Sequence, residues 1–275
     1  MSKSFALALG AGGARGLAHI AVLEALDEMH CKPVALAGTS IGALIGAAYA
    51  AGMAGREIRR FVIPLVHNRG EVLRRLIATR ASGIVDLVSL GFGSATLIDA
   101  EKLCQQFLPD RVPDSFEQLE IPLVVVATDL HRRRQAVLAS GPLKPALAAS
   151  IALPPLMRPV VIENRVLVDG GATNPLPFEH LRGRADVTIA VDISGEPTTE
   201  RYHIPNAWEC LMATVVVMGS AITAEKLTHG APDMIVRPNV GAFRLLDFLQ
   251  ASAILRASEA SVSELKEKFR ALLAA

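Results

Sequence analysis

Short apolar runs alternate with amphipathic stretches along most of the chain, and the two patterns predict strands and helices in turn. The predicted buried strands span residues 5–9, 34–37, 123–127, 135–138, 160–162, 166–168, 187–191 and 234–237. After the first strand, apolar residues recur at helical spacing from Leu17 to Leu26, with Glu24, Asp27 and Glu28 on the polar side. This alternation favours an α/β fold with a mostly parallel central sheet and helices on both faces.

The chain has 275 residues, which is near the upper size for one hydrophobic core, and no linker rich in Pro, Gly and Ser divides it. We therefore predict a single domain over residues 1–275. Its motif-bearing core covers about 3–195, and its C-terminal part, about 206–275, is predicted to be largely helical. Residues 33–55 carry no charge, but their internal glycines, Thr39 and Ser40 favour a buried core segment over a membrane span.

Charge and cysteine content narrow the classes of partner and compartment. The net charge is +1, so no overall field selects a partner, and we expect no nucleic acid. The three cysteines (Cys31, Cys104 and Cys210) are odd in number and lack paired spacing, which predicts a reducing, cytoplasmic compartment without disulfides or a metal site. Because the first strand starts within a few residues of Met1, we expect no signal peptide.

Local charge is uneven. Residues 56–80 contain seven arginines against two glutamates, whereas residues 86–120 contain seven acidic residues against two basic ones. The basic stretch is amphipathic, so it either lies on anionic lipid or forms a solvated helix face that pairs with the acidic stretch. Residues 131–134, His-Arg-Arg-Arg, are predicted to form a hairpin turn, with phosphate binding as the alternative.

The first candidate site element is a glycine-rich turn between the first strand and the first helix. Its sequence is Gly10-Ala11-Gly12-Gly13-Ala14-Arg15-Gly16. Backbone N–H groups at a helix start lack intrahelical acceptors, so such a turn can bind an anion or a developing oxyanion. A dinucleotide fingerprint is the alternative, but Arg15 occupies its third glycine position and no acidic strand end follows at the required distance.

The second element is Gly38-Thr39-Ser40-Ile41-Gly42, a G-x-S-x-G sequence between a strand and a helix. Such a turn exposes the serine hydroxyl at the edge of the sheet, where the next backbone N–H, that of Ile41, can donate to an oxyanion. Gly38 and Gly42 are expected to flank the serine because larger side chains would collide in so tight a turn.

The third element is Asp169-Gly170-Gly171, which follows a predicted hairpin and places a carboxylate on a loop. Taken alone, this sequence is more typical of a turn than of a base. In the order glycine turn, serine and carboxylate, the three motifs supply the oxyanion-binding groups, the nucleophile and the base that acyl transfer requires.

The three motifs in this order resemble those of the bacterial patatin-like phospholipase family. The resemblance covers about residues 3–195 and extends to residues 16–20, 126–130, 149–155 and 169–177. One departure is Ala11, which stands where the family's G-x-G-x-x-G has its first glycine. The resemblance implies a three-layer patatin-like fold and hydrolysis of lipid esters of the phospholipase A or lysophospholipase kind. We expect no cofactor, and peripheral association with a membrane if the basic stretch 56–80 docks on anionic lipid.

By the same resemblance, Ser40 attacks the ester carbonyl and Asp169 takes its proton directly, as a catalytic dyad. The amides of Gly12, Gly13 and Ile41 would hold the oxyanion, with Gly10, Gly16, Gly170 and Gly171 as motif residues. Arg15 either adds charge near the oxyanion or a lipid phosphate, or packs elsewhere. His19, inside the first helix, is expected to be structural.

Two alternatives remain open. A Ser-Asp-His triad would follow the chain order of α/β-hydrolases, and His180, His203 and His229 all follow Asp169. A non-catalytic regulator or scaffold that keeps the fold is the other. The head group, sn-position and chain length of the substrate, an acyl acceptor other than water, and the oligomeric state are not determined by the sequence.

Overall fold

A central sheet organises the computed structural model, which describes residues 3–67, 79, 98–195 and 204–274. Eight strands within these residues form it. They are β1 (Phe5–Leu9), β2 (Ala35–Thr39), β3 (Leu123–Asp129), β4 (Arg134–Leu138), β5 (Val160–Ile162), β6 (Arg165–Asp169), β7 (Val187–Val191) and β8 (Met234–Val236). All eight predicted strands are present, and their ends agree with the prediction to within two residues.

Helices connect and cover the strands. They are α1 (Ala18–Glu28), α2 (Ile41–Ala50), α3 (Gly55–His67), α4 (Ala100–Phe107), α5 (Leu143–Ile151), α6 (Ala207–Thr228) and α7 (Ala251–Ala274). Short 3-10 helices lie at Gly13–Leu17, Phe116–Gln118, Gly170–Ala172, Phe178–Leu181 and Phe248–Gln250. The C-terminal part, predicted to be largely helical, contains α6 and α7, with strand β8 between them.

The sheet is parallel through its middle and antiparallel at one side. The strand order is β5-β6-β3-β2-β1-β7-β8, and β4 also pairs with β3. The pairs β1–β2, β1–β7, β2–β3 and β7–β8 are parallel, whereas β3–β4, β3–β6 and β5–β6 are antiparallel. Residues 130–133 join β3 to β4 as a hairpin turn, which confirms the prediction for the His-Arg-Arg-Arg segment.

Apolar side chains on the two faces of the sheet belong to two separate cores. On one face, Leu7 and Leu9 of β1 pack with residues of α1, α2, α5 and α7. On the other face, Ala6 and Ala8 pack with the 3-10 helix Phe178–Leu181 and with the end of α6. The sheet is therefore covered on both faces, which confirms the predicted three-layer α/β architecture.

The strand register brings two candidate site residues together. β2 runs along β3 until Thr39 pairs with Val126, and β6 pairs with β3 from Asp169, which lies opposite Ala127. Because β4 occupies the other edge of β3 at these positions, β2 and β6 share one edge and meet end to end. Ser40, the residue after Thr39, therefore lies beside Asp169.

The charge-free stretch 33–55 contains β2, the Ser40 turn and α2, and most of its residues are buried. As predicted, it is a core segment. Helix α2 is buried on nearly every side, as expected of a helix that is apolar all round.

In the described part of the basic stretch 56–80, two arginines pair with helix α1. In α3, Arg56 donates to Glu28 Oε1 at 2.9 Å, and Arg59 Nε donates to Glu24 Oε1 at 2.7 Å. Both acceptors lie on α1 and not in the acidic stretch 86–120. The remaining arginines of the basic stretch other than Arg60, namely Arg69, Arg74, Arg75 and Arg80, lie outside the described residues.

Candidate active site

Ser40 occupies a sharp turn between β2 and α2. Its backbone has φ 56° and ψ −125°, a positive-φ conformation that costs conformational free energy in any residue other than glycine. The flanking glycines are required by space. A Cβ on Gly38 would lie 2.6 Å from Ala43 Cα, and a Cβ on Gly42 would lie 2.2 Å from Leu9 O. The turn predicted from the G-x-S-x-G sequence therefore has no room for any other residue at either position.

Ser40 and Asp169 form a direct hydrogen bond. Ser40 Oγ donates to Asp169 Oδ2 at 2.6 Å, and Gly171 N–H donates to Asp169 Oδ1 at 2.7 Å, so both carboxylate oxygens are held. Asp169 is 7% exposed. Burial raises the pKa of Asp169 to about 6, although the hydrogen bonds from Ser40 and Gly171 act in the opposite direction. This pKa lies close to neutral pH, which is what a general base needs.

Ser150 on α5 fixes the serine turn from below. Its Oγ accepts a hydrogen bond from Ser40 N–H at 2.8 Å and donates to Val126 O at 2.7 Å. Ser150 is fully buried. It lies in the stretch 149–155 that carried the family resemblance, but no local pattern marked it as a site residue. Its role became visible only from the packing of α5 against the end of β3.

Two threonines hold the strand ends on which the pair stands. Thr39 Oγ1 donates to Asn174 O at 2.8 Å, and Thr128 Oγ1 donates to Asp169 O at 2.9 Å. Both threonines are buried, so these hydrogen bonds are shielded from competing water. They anchor the backbone directly before Ser40 and at Asp169 itself.

The glycine-rich turn lies against the serine turn. A Cβ on Gly16 would lie 2.2 Å from Ile41 Cγ2, so only a glycine permits this contact. Gly13 has φ 57°, which favours glycine, and a Cβ there would lie 2.2 Å from Leu245 O. Gly10 and Gly12 are also tightly packed, against Val191 and Ile193 respectively.

The backbone N–H groups of the glycine-rich turn and of Ile41, which follows the serine, fall into two sets. Those of Ala11 and Ala14 donate to Pro175 O at 2.8 Å and to Leu245 O at 2.7 Å. By contrast, the N–H groups of Gly12, Gly13 and Ile41 have no acceptor within the part of the chain that the structure describes. The hydrogen bonds at Ala11 and Ala14 fix the turn on both sides of the two glycines.

His19 supports the same turn from inside α1. The residue is fully buried, and its Nε2 lies 2.9 Å from Gly10 O. Because a carbonyl oxygen only accepts, Nε2 carries the proton. Burial lowers the pKa of His19 to about 4, so the ring is neutral at neutral pH. This placement fits the structural role expected for His19.

Arg15 is hydrogen-bonded to backbone carbonyls outside the serine turn. Its Nε donates to Phe243 O at 2.7 Å, and its Nη1 donates to Ser194 O. Burial lowers the pKa of the guanidinium, with a smaller opposing effect from Asp247. Of the two expectations for Arg15, these contacts support packing elsewhere over a charge near the oxyanion.

The candidate triad histidines that the structure describes, His180 and His229, contact groups other than Ser40 and Asp169. His180 Nε2 contacts Gln135 Oε1 at 3.0 Å, within the 3-10 helix that covers the second core. His229 follows α6 and contacts Glu225 and Thr228. His203 lies outside the described residues.

No metal cluster accompanies the site. Among residues 3–67, 79, 98–195 and 204–274, no three His, Cys, Asp or Glu side chains lie close enough together to hold an ion. In the same part of the chain the cysteines are free thiols.

The fold and the site define a class of protein. In a three-layer α/β fold, a serine on a strained strand-to-helix turn donates a hydrogen bond directly to a carboxylate at the end of a neighbouring strand of the central sheet. A glycine-rich turn with unpaired N–H groups lies beside it.

The chain belongs to the patatin-like phospholipase family, since residues 7–182 match the family's model. This result confirms the resemblance derived from the three motifs, all of which fall within the matched residues. In the solved structure of VipD from Legionella pneumophila the fold is similar, with a TM-score of 0.55 at 14% identity over 97% of this chain and 67% of that one.

Curated relatives are considerably longer. An uncharacterized NTE family protein of Mycobacterium tuberculosis is 38% identical over 195 residues, which cover 70% of this chain and 50% of the relative. The lysophospholipase NTE1 of Pyricularia oryzae is 25% identical over an alignment of 294 positions, which covers 98% of this chain and 19% of that protein. The chain thus spans half or less of these relatives.

Proposed function

We propose that this protein is a serine-dependent lipid acyl hydrolase of the phospholipase A or lysophospholipase type. Ser40 is the nucleophile and Asp169 the general base. The observation that carries the proposal is the 2.6 Å hydrogen bond from Ser40 Oγ to the buried carboxylate of Asp169. Membership of the patatin-like phospholipase family and the similarity to a fungal lysophospholipase support an ester of a lipid as the substrate.

In the first half-reaction, Ser40 Oγ attacks the ester carbonyl while Asp169 accepts the hydroxyl proton. The Oγ–acyl bond forms, and the tetrahedral intermediate then collapses as the carbon–oxygen bond to the alcohol breaks. Asp169 returns the proton to the departing alcohol. With a pKa of about 6, Asp169 is mostly ionised at neutral pH and can still accept a proton in the transition state.

In the second half-reaction, water attacks the acyl-serine. Asp169 takes a proton from the water, the Oγ–acyl bond breaks, and Ser40 recovers its proton as the fatty acid departs. This two-step route needs one positioned carboxylate and no cofactor or metal.

The N–H groups of Gly12, Gly13 and Ile41 stabilise the oxyanion in both steps. This assignment is supported by the finding that no acceptor in the described part of the chain competes for these three N–H groups. A positioned donor of this kind contributes about 10²–10³ in rate. The Ile41 N–H also lies at the start of α2, where the helix dipole favours negative charge.

Two other functions remain as alternatives. A non-catalytic scaffold would have no use for a strained serine held against a carboxylate of raised pKa, because both features cost stability. A triad with His180 would need the ring to leave its contacts with Gln135 and Asn174, whereas the Asp169 carboxylate is hydrogen-bonded to Ser40 and Gly171. The cytoplasmic location proposed here rests on the odd number and unpaired spacing of the cysteines in the sequence.

The substrate class is tested by hydrolysis across a panel of lysophospholipids, diacyl phospholipids and neutral glycerides. We expect release of fatty acid from at least one phospholipid class and none with Ser40→Ala. Ser263→Ala, which removes an exposed serine from α7, is the matched control and should keep full activity. Hydrolysis of neutral glycerides alone would reject the phospholipase assignment, and no hydrolysis of any ester would support the scaffold.

A further inference from the structure

Helix α6 exposes apolar side chains along most of its length. Between Glu209 and Glu225 it carries no charged residue. Outward positions recur at helical spacing, and the large apolar ones are Trp208 (41% exposed), Leu211 (44%), Val217 (67%) and Met218 (53%). A helix on the surface of a soluble protein normally places polar residues outward. By length and composition, Ala207–Thr228 is even long and apolar enough to cross a membrane.

The helix is nevertheless fastened to the protein at both ends. Lys226 Nζ donates to Glu179 Oε2 at 2.6 Å and to Leu176 O at 2.8 Å. At the other end, Glu209 pairs with Arg244 Nη1 at 2.9 Å. One side of α6 therefore lies against the protein, and a partner can reach only its outward side.

Helix α6 lies beside the site, and its inward side makes the contacts. Pro175 links the two, because its carbonyl accepts from Ala11 N–H in the glycine-rich turn while its ring faces Gly219 in the middle of α6. The loop that carries Arg244 forms the second link, since Leu245 O accepts from Ala14 N–H of the same turn. This loop and the short helix after it expose two more large apolar side chains, Leu246 (44%) and Leu249 (49%).

The end of the sheet at which Ser40 lies also carries basic side chains. The turn between β3 and β4 lies at the carboxyl end of β3, as Ser40 lies at that of the parallel strand β2. Arg132, Arg133 and Arg134 are exposed in or beside this turn, together with Leu130, which is 47% exposed. Arg132 also contacts Asp129 Oδ2 at 3.7 Å, which leaves a net positive charge at the turn.

We propose that the outward face of α6, with Leu246 and Leu249, docks in the plane of a phospholipid surface that contains anionic lipid. The arginines of the β3–β4 turn meet anionic head groups at its margin. An anionic bilayer complements both properties of this edge, since its interface accepts Trp, Leu, Val and Met side chains and its charge attracts arginine. This inference rests on the proposed function in that docking would bring the lipid ester to Ser40.

The test is binding to vesicles, measured by sedimentation in a Ser40→Ala background so that no lipid is consumed. The parent should bind phosphatidylcholine–phosphatidylglycerol vesicles more tightly than vesicles of phosphatidylcholine alone. Val217→Asp/Met218→Asp should weaken binding to both by about tenfold or more, because two apolar side chains lose their burial. The control is Val161→Asp, which changes an equally exposed valine (65%) on β5 and should bind like the parent.

Replacing Arg132, Arg133 and Arg134 together by glutamine should weaken binding to the anionic vesicles only, and high salt should do the same. Thermal unfolding verifies that each variant is folded. If the double aspartate variant does not fold, Val217→Ser/Met218→Ser takes its place. Equal vesicle binding by the parent and the α6 variants would overturn the proposal. So would a dimer of the parent that the α6 variants convert to a monomer without a change in vesicle binding, because the occupant would then be a second copy.

Failure of the proposed function leaves this result intact. A protein that binds vesicles through α6 but hydrolyses no ester would keep the docking surface and lose the catalytic assignment.

Discussion

Ser40 and Asp169 are separated by 129 residues in the chain and joined by a hydrogen bond of 2.6 Å. Their meeting follows from strand register, since β2 and β6 end at neighbouring positions on one edge of β3. One strand runs parallel to β3 and the other antiparallel. A serine after the first and a carboxylate at the end of the second must therefore face each other.

Loss of the base should be far more costly than loss of a histidine. Asp169→Asn keeps the shape of the side chain but cannot accept the proton, so kcat/KM should fall by about 10²–10⁴. His180→Ala, His203→Ala and His229→Ala should each keep most of the activity, measured as steady-state hydrolysis of a soluble ester. A folded histidine variant that loses activity on the scale of Asp169→Asn would point to a triad.

The pH profile should report the raised pKa of Asp169. Activity needs the carboxylate, so kcat/KM should fall as pH decreases, with a midpoint near the pKa of about 6. The same shift makes the contribution of this group to stability greatest at low pH and lost as pH rises through about 6, because the folded state binds the proton more tightly than the unfolded one. An activity midpoint near the ordinary aspartate value would contradict the account.

Ser150 should act on catalysis by positioning Ser40. Removing its hydroxyl leaves the Ser40 N–H and Val126 O without their shared partner, at a cost of about 1–3 kcal/mol. Ser150→Ala should lower kcat by roughly tenfold, on the scale of 1.4 kcal/mol, with little change in KM. Its control is Ser258→Ala, which removes a buried helical hydroxyl bonded to Ile254 O at 2.8 Å and should lower the melting temperature without lowering kcat.

Two glycines four residues apart in α2 should respond in opposite ways to the same change. Gly42→Ala places a Cβ 2.2 Å from Leu9 O and 2.7 Å from Gly10 O, so it should prevent folding or abolish activity. At Gly46 the nearest atoms to a new Cβ lie at 3.4 and 3.6 Å, which is ordinary contact. Gly46→Ala should therefore fold and raise stability by up to about 1 kcal/mol, since alanine favours a helix. Calorimetry of both variants compares them directly, and equal stability would refute the packing argument.

The strands, the two glycine-containing turns and the positions of Ser40 and Asp169 at strand ends were predictable from the sequence, because each depends on local pattern. The spacing of Gly38, Ser40 and Gly42 predicts one tight turn, and the structure contains that turn. The partners of α3 were not predictable, since Arg56 and Arg59 reach α1 only after both helices pack on the sheet.

Longer-range features escaped for the same reason. Ser150 lies 110 residues from Ser40, and nothing in its neighbourhood distinguishes it from any small residue of a buried helix. The apolar outer face of α6 depends on which side of the helix packs on Pro175, and hydropathy alone does not contain that choice.

The most direct test of the central claim is to label the protein with a fluorophosphonate and map the adduct by mass spectrometry. The account predicts one adduct, on the peptide that contains Ser40, and its complete loss in Ser40→Ala with the melting temperature retained. An adduct on another serine, or undiminished labelling and ester hydrolysis in a folded Ser40→Ala protein, would contradict it.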